Sequence, residues 1–289
     1  MVARRIAVAL TLALLAPAAA HAARPPQQLY VSLGDSYASG FQPMRGNTRH
    51  GFAYQVPGLA ARRGYRLALY NFGCGGATTT SILNRIGCPA AALGPGGIPY
   101  PRTTQIAAAE SFLRANRGRV GLVTVSIGGN DVTACIKASD PMACVTAGVA
   151  RIKANVGLLA RRLRRAAGPD VRIVGTTYPD VVLGLYLTDE AGQNLAKLSV
   201  VVFKTLLNPA LKSAYASGRA RFVDVTAATG AYGSLEQTTT LTPYSGTMPV
   251  PVARACQLTY FCDQRDIHAR TVGYRLIAAL VAQTLPVRR

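Results

Sequence analysis

Tryptophan is absent from the 289-residue sequence, histidine occurs three times, and acidic side chains number twelve against 32 lysines and arginines. Each scarcity closes off a class of function. Few histidines and no C-x-x-C pair leave the chain without the usual donors of a zinc site, so no metal is expected, and no cofactor either. Neither G-x-x-x-x-G-K-[S/T] nor G-x-G-x-x-G occurs, which removes the common nucleotide-binding loops. The absence of G-x-S-x-G excludes the nucleophile elbow of the α/β-hydrolases. After the N-terminal stretch no segment has about 18 uninterrupted apolar residues, so no membrane span is expected. The shortage of acid leaves a net charge of +20, a balance suited to an anionic surface or substrate. The arginines, dense at Arg161-Arg162-Leu163-Arg164-Arg165, lack aromatic interleaving and any nucleic-acid-binding module, so a solvated face is the simpler reading and no specific nucleic-acid partner is expected.

What is present begins with a leader. Arg4 and Arg5, an apolar run from Ile6 to Leu15 and an Ala20-His21-Ala22 cleavage site make Met1–Ala22 read as a secretory signal peptide, and an exported, extracellular protein is expected. Residues 23–289 then form one domain, long enough to bury a sizeable core. Its cysteines, Cys74, Cys88, Cys135, Cys144, Cys256 and Cys262, are even in number, which in an exported chain argues for disulfides.

The stretch around which the rest is organised is Gln28–Gly40, where an apolar run stops at Gly34-Asp35-Ser36. It reads as a buried strand delivering Ser36 to a tight turn. A serine there exposes its hydroxyl and aims its own N–H into a nest that can hold an oxyanion, which makes Ser36 the candidate nucleophile. A hydroxyl needs a base. Of the two histidines beyond the leader, His50 ends a polar loop, whereas His268 stands in a loop entering the last apolar helical pattern, a placement that more often carries chemistry.

GDSYASG (34–40), NFGCGGATT (71–79), IGGND (127–131) and DIH (266–268) occur in this order across nearly the whole chain. Together they resemble the four blocks of the SGNH, or GDSL-type, serine hydrolases, in particular secreted esterases and lipases. The resemblance implies carboxylic ester hydrolysis with Ser36 as nucleophile and His268 as base. It also implies three oxyanion donors: the backbone N–H groups of Ser36 and Gly76 and the side-chain amide of Asn130. Gly76 suits close backbone approach, and a neutral amide donates without a counter-charge. Similar secreted relatives carry three bridges, and with the short loops this favours pairing each cysteine with its neighbour: Cys74–Cys88, Cys135–Cys144 and Cys256–Cys262.

Two departures from the family pattern stand out. Tyr37 replaces the leucine of G-D-S-L, a change expected to alter packing more than chemistry. The carboxylate normally three residues before the histidine is Arg265 here, and the aspartate is Asp266. Either Asp266 or the Arg265 backbone carbonyl could therefore hold the His268 Nδ1–H. Asp35 and Asp131 are expected to bond within their turns rather than act as bases.

Strands expected near 28–34, 66–72, 120–127, 171–177 and 220–225 alternate with helices near 52–63, 103–116, 147–167 and 189–217. That alternation implies a five-stranded parallel sheet covered on both faces, joined by right-handed crossovers. The resemblance makes it an α/β three-layer sandwich, and in a flavodoxin-like order 2-1-3-4-5 the site would fall at the strand-order reversal. A monomer acting on a small ester or lipid is expected, its specificity set by the loops 88–101 and 230–262. An acyltransferase on the same site, or a non-catalytic basic surface-binding protein, is the alternative.

Overall fold

The computed structural model describes residues 25–288; the signal-peptide expectation falls on Met1–Ala22, outside them. Five strands, β1 (Gln27–Gly34), β2 (Arg66–Asn71), β3 (Val120–Ser126), β4 (Arg172–Thr176) and β5 (Arg221–Val223), form one parallel sheet in the order β2-β1-β3-β4-β5. Parallel strands must be covered on both faces, and the residues of β1 show why they can be. Leu29, Val31 and Leu33 point into one core and Tyr30 into the other, all of them buried. The hydroxyl of Tyr30 is satisfied by Thr124 Oγ1 of β3, 2.8 Å away.

Six helices position the site: α1 (Ser36–Ser39), α2 (Phe52–Ala61), α3 (Gln105–Ala115), α4 (Pro141–Ala167), α5 (Asn208–Ala216) and α6 (Thr271–Gln283). One layer holds α2 and α6, with Phe52, Val56, Ile277 and Val281 buried against Tyr30, Leu122 and Val174. The other holds α3, α4 and α5, with Ile106, Leu113, Ile152, Val156, Leu159 and Leu211 buried against Val31, Val123 and Val125. Helix α4 has the length and hydropathy of a bilayer span, yet its apolar residues Ile152, Val156, Leu159 and Leu163 pack on the sheet.

Three elements differ from the expected pattern. Helix α4 begins at Pro141 rather than near Ala147, because Asp140 accepts from Ala143 N at 2.9 Å and proline suits the first turn. The helix expected over 189–217 is an α-helix (Glu190–Val201), a π-helical turn (Val202–Leu207) and then α5. Pro209 cannot donate to a carbonyl one turn back, so an unbroken α-register does not run through it. The expected loop 230–262 contains a helix, Val250–Leu258, whose Val252, Ala253, Ala255 and Cys256 pack with Leu183 and Met248 in a small third core.

Disulfides join Cys74 to Cys88, Cys135 to Cys144 and Cys256 to Cys262. The largest loop spans a sequence separation of 14, for which loss of unfolded-chain entropy is worth up to about 3 kcal/mol. Reduction should therefore lower the melting temperature measurably, and peptide mapping of the native protein should return these three pairs without free thiols.

Candidate active site

The turn carrying Ser36 is built by its neighbours. Gly34 has φ 136°, and a Cβ there would lie 2.0 Å from the Ser126 carbonyl oxygen, so only glycine fits. The buried amide of Gln105 clamps both sides of that residue: Gly34 N donates to Oε1 at 2.7 Å, and Nε2 donates to the Gly34 carbonyl at 3.0 Å. Asp35 caps α1, accepting from Tyr37 N at 2.9 Å, while its other oxygen accepts the Tyr178 hydroxyl at 2.6 Å. Burial pushes the Asp35 carboxyl up to about 7 against the pull of these two donors. Its bond to Tyr37 N is that of a turn-holder. Asp131 departs from the expectation that it bonds within its own turn: it accepts from both the N–H and the hydroxyl of Thr79, 52 positions away, at 2.8 and 2.6 Å, and so joins the loop after β3 to the loop after β2.

Ser36 Oγ lies 2.8 Å from His268 Nε2, joining residues 232 positions apart. On the far side of the ring, Nδ1 meets Asp266 Oδ1 at 2.7 Å, and the same oxygen accepts the His268 backbone N–H at 2.9 Å. Of the two partners open on sequence grounds, the structure places the Asp266 carboxylate, not the Arg265 carbonyl, against Nδ1. A carboxylate only accepts, so the Nδ1 proton points to Asp266 and the Nε2 lone pair faces the serine hydroxyl. Burial lowers the His268 pKa below its ordinary 6.5, with Asp266 opposing; the ring is therefore neutral, and able to take a proton, at neutral pH. The His268 turn is itself tied down, its carbonyl accepting from Tyr260 N at 3.0 Å. Phe41 lies against the ring with centroids 4.6 Å apart. His50 is exposed and elsewhere on the surface.

Asn130 follows β3 at the start of a short helix, Gly129–Thr133. Its Nδ2 donates to the Ala77 carbonyl at 2.8 Å, leaving a second amide hydrogen. Gly76 sits one residue before Ala77, at φ 77° with open space where a Cβ would project. Its segment is held at one end by Cys74 N donating to the Gly34 carbonyl at 3.0 Å and at the other by Asn130. The loops after β1, β2 and β3 are thus laced together by hydrogen bonds.

Ser36 and Asn130 open onto an apolar cavity of about 120 Å³, walled by Ile136, Met142, Leu198, Val202, Phe203 and Leu207 among others. The loops 88–101 and 230–262, expected to set specificity, do not line it. The walls come instead from the Cys135–Cys144 segment, from Val181 and Val182, and from the helix Glu190–Val201 with the π-helical stretch after it. The spacing of Leu195, Leu198 and Val202 reads as that of core positions, but all three line the cavity, and the supporting roles of Gln105 and Tyr178 left no trace in the sequence pattern, because each depends on packing between distant segments. Tyr37 was marked only by its departure from G-D-S-L.

Several solved structures resemble the chain. An extracellular lipase from Streptomyces rimosus has a TM-score of 0.47 and 17% identity, with 89% of this chain and 99% of that one covered. Phospholipase A1 from Streptomyces albidoflavus NA297 has a TM-score of 0.49 and 18% identity, with 89% and 98% covered. The aryl esterase of M. smegmatis has a TM-score of 0.43 and 14% identity, with 89% and 97% covered. No curated protein sequence matches. The sequence pattern of the GDSL-like Lipase/Acylhydrolase family matches residues 32–276, most of the chain. The chain belongs to the GDSL-like lipase/acylhydrolase family and is a carboxylic ester hydrolase.

Proposed function

We propose that the protein is an exported esterase that cleaves esters of aliphatic acids through an acyl-Ser36 intermediate. The observation that supports this most is the hydrogen-bonded chain Asp266–His268–Ser36 at the mouth of an apolar cavity. Ser36 Oγ attacks the ester carbonyl carbon as its proton passes to His268 Nε2, and the carbonyl π electrons move onto oxygen. The N–H groups of Ser36 and Gly76 and the free hydrogen of the Asn130 amide receive that oxyanion, and one such donor is worth roughly 3 to 4 kcal/mol in comparable sites. Collapse expels the alkoxide, which takes the proton from Nε2 and leaves as alcohol. Water then repeats the sequence against the acyl-enzyme and releases the acid.

The acyl chain occupies the apolar cavity. A cavity of about 150 Å³ accommodates the six carbons of benzene, so 120 Å³ suits a shorter acyl chain of roughly four carbons. Each methylene buried contributes about 0.8 kcal/mol, or some fourfold in kcat/KM. In a panel of p-nitrophenyl esters, kcat/KM should climb from acetate to about butanoate and then level or fall. Phe203→Ala, which removes a wall, should move the optimum to longer chains. An optimum at acetate in both proteins would remove the cavity from the reading.

A further inference from the structure

The residue after the nucleophile does more than pack. Tyr37 is buried, and its hydroxyl donates to the backbone carbonyl of Ile267 at 2.7 Å, across 230 positions of sequence. Ile267 is the residue between Asp266 and His268, so this one bond holds the peptide that carries both partners of the acid–base pair. The ring is fixed in turn by edge contacts to Tyr178 and Tyr274, with centroids 4.9 and 5.4 Å away, and it lies 5.9 Å from the His268 ring. The Tyr37 backbone N–H is bound to Asp35 at 2.9 Å. One residue therefore has its main chain locked to the nucleophile turn and its side chain locked to the histidine turn. A leucine, the family's usual residue here, has no hydroxyl to make the second connection.

Resting on the assignment of His268 as base, we infer that Tyr37 is a positioning residue that sets the Ser36–His268 distance, coupling the loop after β1 to the loop before α6. The physical reason is leverage. The His268 turn is joined to the rest of the site through a few backbone bonds, and a displacement of about 1 Å in a reacting group is enough to cost on the order of 10²-fold in rate. Tyr37→Phe keeps the ring and its contacts and deletes only the bond to Ile267.

Tyr37 also touches the cavity, so the test must separate positioning from substrate binding. Each variant is assayed on the same ester panel, with Tyr30→Phe as a matched control. That substitution also deletes a buried hydroxyl with a 2.8 Å bond, but in the sheet. The expected result is that Tyr37→Phe lowers kcat at least tenfold by the same factor on every chain length, with KM and chain-length optimum unchanged, while Tyr30→Phe shows a similar drop in melting temperature and nearly full kcat. A Tyr37→Phe protein with kcat within about threefold of the parent overturns the inference. So does a loss that varies with acyl length or appears in KM, which would make Tyr37 a pocket wall. Ser36→Ala and His268→Ala run alongside: if either retains activity, the catalytic assignment itself fails, whatever Tyr37 does.

Discussion

Ser36→Ala is expected to abolish ester hydrolysis while leaving the melting temperature nearly unchanged. The side chain is small, it caps nothing, and its one side-chain partner is His268 Nε2, so its removal opens almost no cavity and leaves only that nitrogen, beside the open cavity, without its partner. The chemistry, by contrast, has no substitute nucleophile nearby: the six cysteines are bridged and none is free among the described residues. Loss of the serine in a comparable hydrolase costs on the order of 10⁶ in kcat, and the residual rate there comes from the oxyanion donors and binding. Treatment of the parent protein with an alkyl organophosphonate should add one mass increment, located on Ser36, and Ser36→Ala should take up none. Labelling at another residue, or substantial turnover by Ser36→Ala, would sink the assignment.

Asp266→Asn is expected to lower kcat by up to about 10⁴, the size of the effect in the serine-protease case, with the fold intact. The reasoning runs through one oxygen. Asp266 Oδ1 accepts from both the ring Nδ1 and the backbone N–H of His268, so it fixes the tautomer and the rotation of the ring and opposes the charge formed when Nε2 takes the serine proton. An asparagine amide can present its NH₂ to Nδ1 and favour the wrong tautomer. The pH dependence gives a second readout with a definite sign. Burial already depresses the His268 pKa and Asp266 pulls it up, so in the parent the acid limb of kcat/KM should lie below pH 6.5, activity being lost as the ring protonates. Removing the carboxylate charge should move that limb to still lower pH while the plateau collapses. A fall in kcat of less than about tenfold, which is under about 1.4 kcal/mol, would return the role to the Arg265 carbonyl and leave a Ser-His dyad.

How much could be read without coordinates differs from residue to residue. The strand ending at Gly34 was legible because a buried parallel strand is a continuous apolar run and because only glycine tolerates the φ and the 2.0 Å approach found there. The parallel sheet followed from the alternation of strands and helices, since parallel strands need covered crossovers of one hand; the order 2-1-3-4-5 came with the family resemblance, because alternation alone fits more than one order. The π-helical turn was not legible: Val202 and Phe203 have ordinary apolar spacing, and the break arises from Pro209 several residues on. Nor were the cavity walls: the segment 230–262 reads as a specificity loop, whereas it contains the helix Val250–Leu258, whose apolar side chains turn inward to the third core.

The division has a physical basis. Sequence by itself put a candidate nucleophile at a strand end and a candidate base in a late loop, which are short-range properties written in dihedral preferences and in apolar periods a few residues long. The glycine and asparagine donors and the pairing of neighbouring cysteines came from the family resemblance of short motifs. The tertiary structure alone decided which acceptor meets Nδ1, that Tyr37 reaches Ile267, and that the apolar cavity is walled by the Cys135–Cys144 segment and by the helix Glu190–Val201 with the π-helical stretch after it. Those contacts connect segments whose relative position is set by the packing of two helical layers on one sheet. Contact geometry at the scale of a 2.7 Å hydrogen bond is fixed only when every layer is in place, and no periodicity along the chain encodes it.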